Sequence, residues 1–145
     1  TTQNWLNPVT NKTGTIGKTW QAKEMETNSG RLFYFNSSEL LAEAIFGYEQ
    51  LPHDGVQTLT YANAIKEAIA SSVSIDSEWR PATVGGMPAL KATAKSIKYP
   101  DRIVEVTISV KGRDAWRAVV FTRVKSPTQA TENEKFLQAV FGTTN

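Results

Sequence analysis

The sequence contains no cysteine and a single histidine, His53. Without thiolates it forms neither a disulfide framework nor a zinc site of the thiolate type. One histidine also excludes a histidine-rich metal site and any catalytic triad that needs a second imidazole. The lack of cysteine suits an oxidising compartment, where a free thiol is a hazard, but many cytosolic proteins lack it too. We therefore expect no metal and no cofactor.

Long runs of like charge and long apolar runs are also missing. The 16 basic and 14 acidic residues leave a net charge of +2. So small an excess does not predict nucleic-acid binding, which needs a clustered basic face. A transmembrane helix needs about 20 apolar residues in succession, and the chain has no such segment. With 40% hydrophobic and 21% charged residues, the composition is that of a globular protein.

The amino-terminal stretch, residues 1–14, is polar and rich in Asn and Thr. This composition predicts a flexible arm that precedes one domain formed by residues 15–145. The chain starts at Thr1 without methionine, and no signal-peptide pattern is present. Such a start is typical of a trimmed chain or of a mature exported chain that has lost its leader. In the second case a lipid anchor would precede Thr1.

Alternating polar and apolar residues between Val84 and Val124 predict an antiparallel meander. Its strands are expected at residues 89–99, 102–111 and 115–125. The turns are expected at 100–101 and 112–114, and turns this short join antiparallel neighbours. Gly85-Gly86 predicts a turn with positive φ and not a phosphate loop, because a strand follows it where a phosphate loop would need a helix.

The remaining elements complete an α+β pattern. Strands are predicted at residues 15–25, 31–35 and 73–80, with a turn at 28–30. Residues 40–51 fit either a helix or a strand, and we favour a strand. Helices are predicted at 58–72, with Thr58 or Thr60 as the cap, and at 131–141, with a capping box formed by Thr131 and Glu134. Trp116 alternates with apolar residues and is expected in the core.

The order of these elements resembles the PsbP-like α/β/α sandwich family. The resemblance covers roughly residues 16–141. It rests on the helix Tyr61-Ala62-Asn63-Ala64-Ile65, a strand to Trp79, the turn Val84-Gly85-Gly86-Met87-Pro88-Ala89, the meander, and a final helix from Glu134 to Phe141. It implies a twisted, mostly antiparallel sheet flanked by helices.

The family includes an extrinsic photosystem subunit, a nuclear Ran-binding protein, and small bacterial proteins that are exported or lipid-anchored. No motif of this chain carries over the metal-binding or partner-binding residues of those members. The resemblance therefore implies a fold and an exported or envelope location, while the function has to be argued from the site.

Five residues are the candidates for a ligand-binding or partner-binding site: Trp79, Arg80, Lys91, Lys95 and Arg117. Trp79 is expected as an exposed aromatic beside the Gly85-Gly86 turn. Lys91, Lys95 and Arg117 share one alternation phase of the meander with Glu105 and Arg123, which predicts a mixed-charge patch for an anion or a partner. Cross-strand ion pairing on a solvated face is the alternative interpretation.

Other chemistry has weaker support. His53 and Asp54 adjoin each other in a turn, where adjacent side chains rarely face each other usefully. Asp76 and Glu78 share a strand phase, but two carboxylates on a strand are usually solvated. No catalytic spacing is present, so we expect no enzyme.

The expected function is that of a non-enzymatic accessory or binding protein of the bacterial cell envelope. It would be exported or periplasmic, in the manner of a lipoprotein, and would act on an unknown protein or envelope component. The alternative is a small-molecule carrier or small enzyme with a pocket between the first helix and the sheet. A third reading is a subunit that self-associates through an open sheet edge.

Overall fold

The computed structural model describes residues 1–28, 30–123 and 125–145, which form ten strands and two helices. The strands are β1 Thr2–Asn7, β2 Lys12–Gly17, β3 Gln21–Thr27, β4 Gly30–Ser37, β5 Ala42–Gln50, β6 Val73–Ile75, β7 Arg80–Val84, β8 Met87–Ser96, β9 Ile103–Lys111 and β10 Asp114–Thr122. The helices are α1 Thr58–Ala68 and α2 Pro127–Gly142. The predicted turn at 28–30 and the predicted strand at 115–125 each include one residue, Ser29 and Val124, outside the described part.

Eight strands form one antiparallel sheet in the order β3-β4-β5-β10-β9-β8-β6, and β7 pairs with β8 beyond the end of β6. The meander predicted from the alternation is confirmed as β8, β9 and β10. The segment at residues 40–51 is the strand β5, which joins the meander to the β3–β4 hairpin. The α+β class with a mostly antiparallel sheet is therefore confirmed.

Each face of the sheet carries a hydrophobic core under one helix. The core beneath α2 is aromatic, and Phe46 stacks on Trp116 with ring centroids 5.2 Å apart. Trp116 is 1% exposed, as its alternation predicted. The core beneath α1 is aliphatic, because β9 directs Val104, Val106 and Ile108 toward the helix. The period-two pattern of β9 therefore decides which side chains meet which helix.

The amino terminus is part of the packed structure. Instead of a flexible arm, residues 2–17 form the hairpin β1–β2, which lies against α2. Trp5 packs edge-on against Phe33 and Phe35, and the Asn7 side chain donates a buried hydrogen bond to Thr143 Oγ1 at 3.0 Å. The arm prediction is wrong because a polar strand with one aromatic anchor lacks the alternation that sequence patterns detect.

The β1–β2 hairpin also changes the predicted strand at residues 15–25. This segment contributes to two strands, since β2 ends at Gly17 and β3 begins at Gln21 after a turn. Lys18 N donates to the Thr1 carbonyl at 3.0 Å, which ties the start of the chain to this turn. β3 is the outer strand on its side of the sheet, and every one of its residues is exposed.

Helix α1 is shorter than predicted and ends at Ala68. Its N-cap is Gln57, whose side chain makes no capping hydrogen bond, so the predicted Thr58 or Thr60 cap is wrong. The buried side chains are Tyr61, Ala62 and Ile65. Tyr61 thus belongs to the packed face of the helix, and its hydroxyl contacts the sheet.

Helix α2 begins one turn earlier than predicted, at Pro127. Ser126 is the N-cap and its Oγ accepts from Gln129 N at 3.1 Å, while Pro127 occupies the first turn, where its missing N–H costs nothing. The capping box of Thr131 and Glu134 is therefore wrong. Glu134 lies inside the helix and its carboxylate faces β8.

Candidate partner-binding face

Helix α1 covers only part of its face of the sheet. It packs mainly over β8 and β9, while β3, β4 and parts of β5 and β10 lie beyond it. Five apolar or aromatic side chains in this uncovered area project from the side of the sheet on which α1 packs, and they are half-buried or exposed: Met25, Leu32, Tyr34, Ile45 and Phe121. We call this area the open half-face. The opposite side of β4, β5 and β10 is buried under α2 and the β1–β2 hairpin.

A polar cluster closes the edge of the open half-face beside α1. Arg117 Nη1 donates to Tyr61 Oη at 3.0 Å, and Tyr61 Oη donates to Glu49 Oε1 at 2.6 Å. Arg117 also lies 3.6 Å from the same Glu49 oxygen. Burial raises the pKa of Tyr61 above its usual range; the Arg117 charge opposes this rise and the Glu49 carboxylate reinforces it. The cluster fixes α1 against β5 and β10.

Tyr34 lies at the centre of the open half-face, and Glu43 lies at its edge near the start of β5. Burial raises the pKa of Tyr34, and the charge of Glu43 and its hydrogen bond to the hydroxyl raise it further. The hydroxyl therefore stays protonated well above neutral pH and serves as a donor. Its partner Glu43 also borders a groove, lined in part by Ile45 and Phe121, with a volume of about 560 Å³.

The five residues predicted from the sequence do not form one patch. Lys91 and Lys95 point to the α2 side of the sheet, together with Glu105. Arg117 points to the α1 side, because it pairs with Ile108, whose side chain lies in the α1 core. Arg123 follows β10 on the α1 side as well, where it borders the groove.

The prediction that Arg117 shares a face with Lys91 and Lys95 failed because of the turn between β9 and β10. A three-residue turn at 112–114 would have kept residues of the same parity on one face. The turn consists of Gly112 and Arg113 alone, because Asp114 already pairs with Lys111. Gly112 has a φ of 62°, which a two-residue hairpin turn requires. A difference of one residue moves every side chain of β10 to the other face.

On the α2 side, two of the predicted residues meet in an ion-pair network. Lys91 Nζ lies 2.8 Å from Glu134 Oε2 and 3.4 Å from Glu105 Oε1, and its side chain is only 11% exposed. Arg80 lies 3.6 Å from Glu105. Burial would raise the pKa of Glu134, but hydrogen bonds from Lys91 and Gln138 outweigh this and lower it. The network fastens α2 to the sheet, so Lys91 is engaged within the protein.

Trp79 and Lys95 lie apart from this network. Trp79 is half-buried against the α1 core, and its Nε1 donates to Asn63 Oδ1 at 3.1 Å. It is therefore less exposed than predicted. Lys95 is exposed and pairs across the backbone with Ser74 of β6. A binding role for these two residues remains a prediction.

The other candidate groups lie on the surface. His53 Nδ1 contacts the backbone carbonyl of Asp54 at 2.8 Å and not its carboxylate. Asp76 accepts from Thr93 Oγ1 at 2.7 Å, a structural contact between β8 and the chain after β6. Within the described residues, no group of three or more His, Asp or Glu side chains is placed to hold a metal ion. Within the same residues, no helix is long and apolar enough to cross a bilayer.

With the geometry in place, comparison with solved structures identifies the fold. The solution structure of cyanobacterial PsbP (CyanoP) from Synechocystis sp. PCC 6803 superposes with a TM-score of 0.65, and the match covers 94% of this chain and 88% of that one at 7% identity. The sequence matches no family model and no curated protein. The chain therefore has the PsbP-like fold that its element order implied, and at this identity the likeness concerns the fold alone.

Sequence reasoning missed the residues that shape the open half-face. Leu32, Tyr34, Ile45 and Phe121 all lie in segments predicted as strands, but the sequence did not indicate that this face would stay uncovered. The apolar character of both faces of β4 was a usable signal, because a strand apolar on both sides is covered twice or is left with one exposed apolar face. Which face α1 leaves free depends on strand order, and that order is a long-range property.

Proposed function

We propose that the protein is a non-enzymatic accessory or binding protein of the bacterial cell envelope and acts through protein–protein contacts. The open half-face is the observation that carries this proposal. It places Leu32, Tyr34, Ile45 and Phe121 side by side on the neighbouring strands β4, β5 and β10, without a covering element among the described residues. Apolar and aromatic side chains grouped at the surface in this way are typical of interaction sites.

The same surface supports binding more than catalysis. Its polar groups are engaged with one another: Arg117 with Tyr61 and Glu49, and Tyr34 with Glu43. The single histidine lies in an exposed turn. A reaction site would instead bring a nucleophile or a general base into a concave, water-excluding cavity. The envelope location is supported by the resemblance to exported members of the PsbP-like family.

Site-specific photo-crosslinking tests the proposal. A benzophenone amino acid at Tyr34 is expected to yield one protein adduct in cells that produce this chain, and mass spectrometry identifies the partner. The same group at Lys135, which is exposed on α2 on the opposite side, is the matched control and should yield none. The purified partner should then bind the wild-type protein and lose affinity for Ile45→Glu.

Two outcomes would contradict the proposal. One is equal labelling from Tyr34 and Lys135, and the other is a partner that binds Ile45→Glu as well as wild type. Turnover of a substrate by the purified chain would contradict the non-enzymatic part.

A small-molecule carrier is the second candidate, favoured by the hollows at the two ends of α1. One is the groove of about 560 Å³ near Ser72 and Val73. The other has a similar volume of about 560 Å³ beside Val56 and Leu59. Both lie in the range of small-molecule sites but are open to solvent. A thermal-shift screen with metals and metabolites distinguishes the candidates, because a carrier should be stabilised by one compound class.

A further inference from the structure

A groove crosses the open half-face where β5 begins and β10 ends. Two hollows of about 560 and 280 Å³ share Glu43, Arg102, Phe121 and Arg123 as walls, so they form one elongated trough. The turn between β8 and β9 borders one end and the turn between β4 and β5 borders the other. We call this trough the cationic groove. A trough made of two joined hollows suits an extended chain better than a compact molecule.

Positive charge is in excess among the residues that line the groove, which carry the cations Lys98, Arg102 and Arg123 against the one anion Glu43. The Glu43 carboxylate accepts from Tyr34, and Asp101 accepts twice from Arg102 Nη1, at 2.8 and 2.9 Å. Lys98 lies over the ring of Tyr99, and among the described residues no carboxylate lies within ion-pair distance of Lys98 or Arg123. These two cations are therefore available to pair with an anionic partner.

The rim of the groove is unusually apolar for an exposed surface. Ile97 is 55% exposed, Tyr99 46% and Leu41 44%. Leu41 also has a φ of 51°, in the left-handed region that bulky residues rarely adopt. An exposed leucine in this conformation gains no core packing from it, and the conformation holds its side chain at the end of the groove.

We infer that the cationic groove binds an extended acidic segment of a partner protein. Apolar side chains of the segment lie on Ile45 and Phe121, and its carboxylates meet Arg123 and Lys98. The inference rests on the proposed function and adds the chemistry of the partner. Glu43 in the groove wall disfavours a continuous polyanion such as a nucleic acid, because it would face the phosphates.

A defined peptide probe tests the inference. The probe is a short blocked peptide in which Glu alternates with Leu, titrated into the full ¹⁵N-labelled chain. Amide shifts are expected around Ile97, Tyr99 and Phe121 and should weaken as salt rises. A peptide with Lys in place of Glu is the control and should produce no shifts there.

Charge reversal at the groove supplies the second arm. The double variant Lys98→Glu, Arg123→Glu should lose about tenfold or more in affinity for the Glu peptide. Lys23→Glu is the matched control, because Lys23 is an exposed cation of the same face on β3, outside the groove. The affinity of this variant should stay within about twofold of wild type, because Lys23 does not line the groove.

Leu41→Asn separates docking from folding. Asparagine tolerates the left-handed region better than leucine, so the variant should unfold at a higher denaturant concentration and still bind the peptide several-fold more weakly. Unchanged affinity together with the higher midpoint would overturn the role given to Leu41.

The inference is overturned if the groove amides do not shift, if the Lys peptide binds equally well, or if octanoate shifts these amides while the Glu peptide does not. The last result would mark a site for small amphiphiles. A partner crosslinked at Tyr34 that still binds the Lys98→Glu, Arg123→Glu variant would leave the proposed function intact and refute the groove. If Tyr34 gives no specific crosslink but the peptide still binds, the proposed function is refuted and the groove remains a site for acidic segments.

Discussion

The guanidinium of Arg117 lies close against Gly47 of the neighbouring strand. A Cβ added to Gly47 would stand 3.0 Å from both Cζ and Nε of Arg117. The glycine therefore provides the space through which Arg117 reaches Tyr61. One missing side chain on β5 thus permits the contact that fixes α1 to the sheet.

Gly47→Ala should displace Arg117 and weaken its hydrogen bond to Tyr61. We expect a loss of about 1–3 kcal/mol in the free energy of unfolding, as for other overpacked sites. Urea denaturation monitored by tryptophan fluorescence measures the loss. Gly142→Ala is the control, since a Cβ there meets no atom within 4 Å, and its stability should be unchanged or higher. A Gly47→Ala variant as stable as wild type would show that Arg117 moves aside freely.

The Gly85-Gly86 turn offers a matched pair of substitutions. Both residues have positive φ, 59° and 79°, so alanine is strained at either position. At Gly85 a Cβ would also lie 2.2 Å from the backbone N of Gly142, whereas at Gly86 it would meet nothing within 4 Å. Gly86→Ala should cost about 1–2 kcal/mol and Gly85→Ala about 2–5 kcal/mol. Equal losses in thermal unfolding would refute a close approach of α2 to this turn.

Thr107 is buried, and its hydroxyl has no hydrogen-bond partner in the described part of the chain. Thr107→Val keeps the branched shape, which suits a strand, and removes the unpaired hydroxyl. The free energy of unfolding should rise by about 1 kcal/mol. Ser109→Ala is the contrast, because Ser109 Oγ donates to the Pro88 carbonyl at 2.9 Å, and it should lose about 0.5–1.5 kcal/mol. A destabilised Thr107→Val would indicate that the hydroxyl is paired.

Glu134 should make stability depend on acid pH. Its folded-state pKa lies below the ordinary value of 4.5, so its contribution is present at neutral pH and is lost as the pH falls through that lowered pKa. Glu134→Gln should therefore be less stable than wild type at pH 7, by no more than about 1 kcal/mol because the carboxylate is half exposed. The difference should shrink in acid. Denaturation curves across this range check the trend.

The control for this pH dependence is Glu132→Gln. Its partner Lys135 is exposed and 3.6 Å away, and a pair of this kind on a helix surface contributes a few tenths of a kcal/mol at most. A Glu134→Gln penalty that persists unchanged at low pH would attribute the effect to packing and not to the ion pair with Lys91.

The parts of the fold that were predictable are those fixed by local alternation. Val104, Val106 and Ile108 alternate with polar residues, and this pattern alone placed β9 and its neighbours. Residues 40–51 were resolved only by partners distant in the chain, since β5 pairs with β4 and β10. The β1–β2 hairpin escaped because its stability comes from Trp5 and Asn7 contacting distant residues, which no local pattern records.

The candidate site was less predictable, for two physical reasons. Arg117 was assigned to the wrong face because a single residue of turn length at Gly112 and Arg113 sets the phase of β10. The open half-face follows from where α1 lies across the sheet, and that depends on the Tyr61–Arg117–Glu49 contacts. Both are properties of the assembled molecule, whereas charge and alternation are properties of the chain.

The docking of the amino-terminal hairpin onto α2 has a practical consequence for handling this protein. Thr1 lies on the α2 side, beside Glu132 and Lys135, and the open half-face looks the opposite way. A biotin, a dye or a sensor surface coupled at Thr1 would therefore attach to the α2 side of the molecule. The strands β4, β5 and β10 would then remain accessible to whatever is applied in solution.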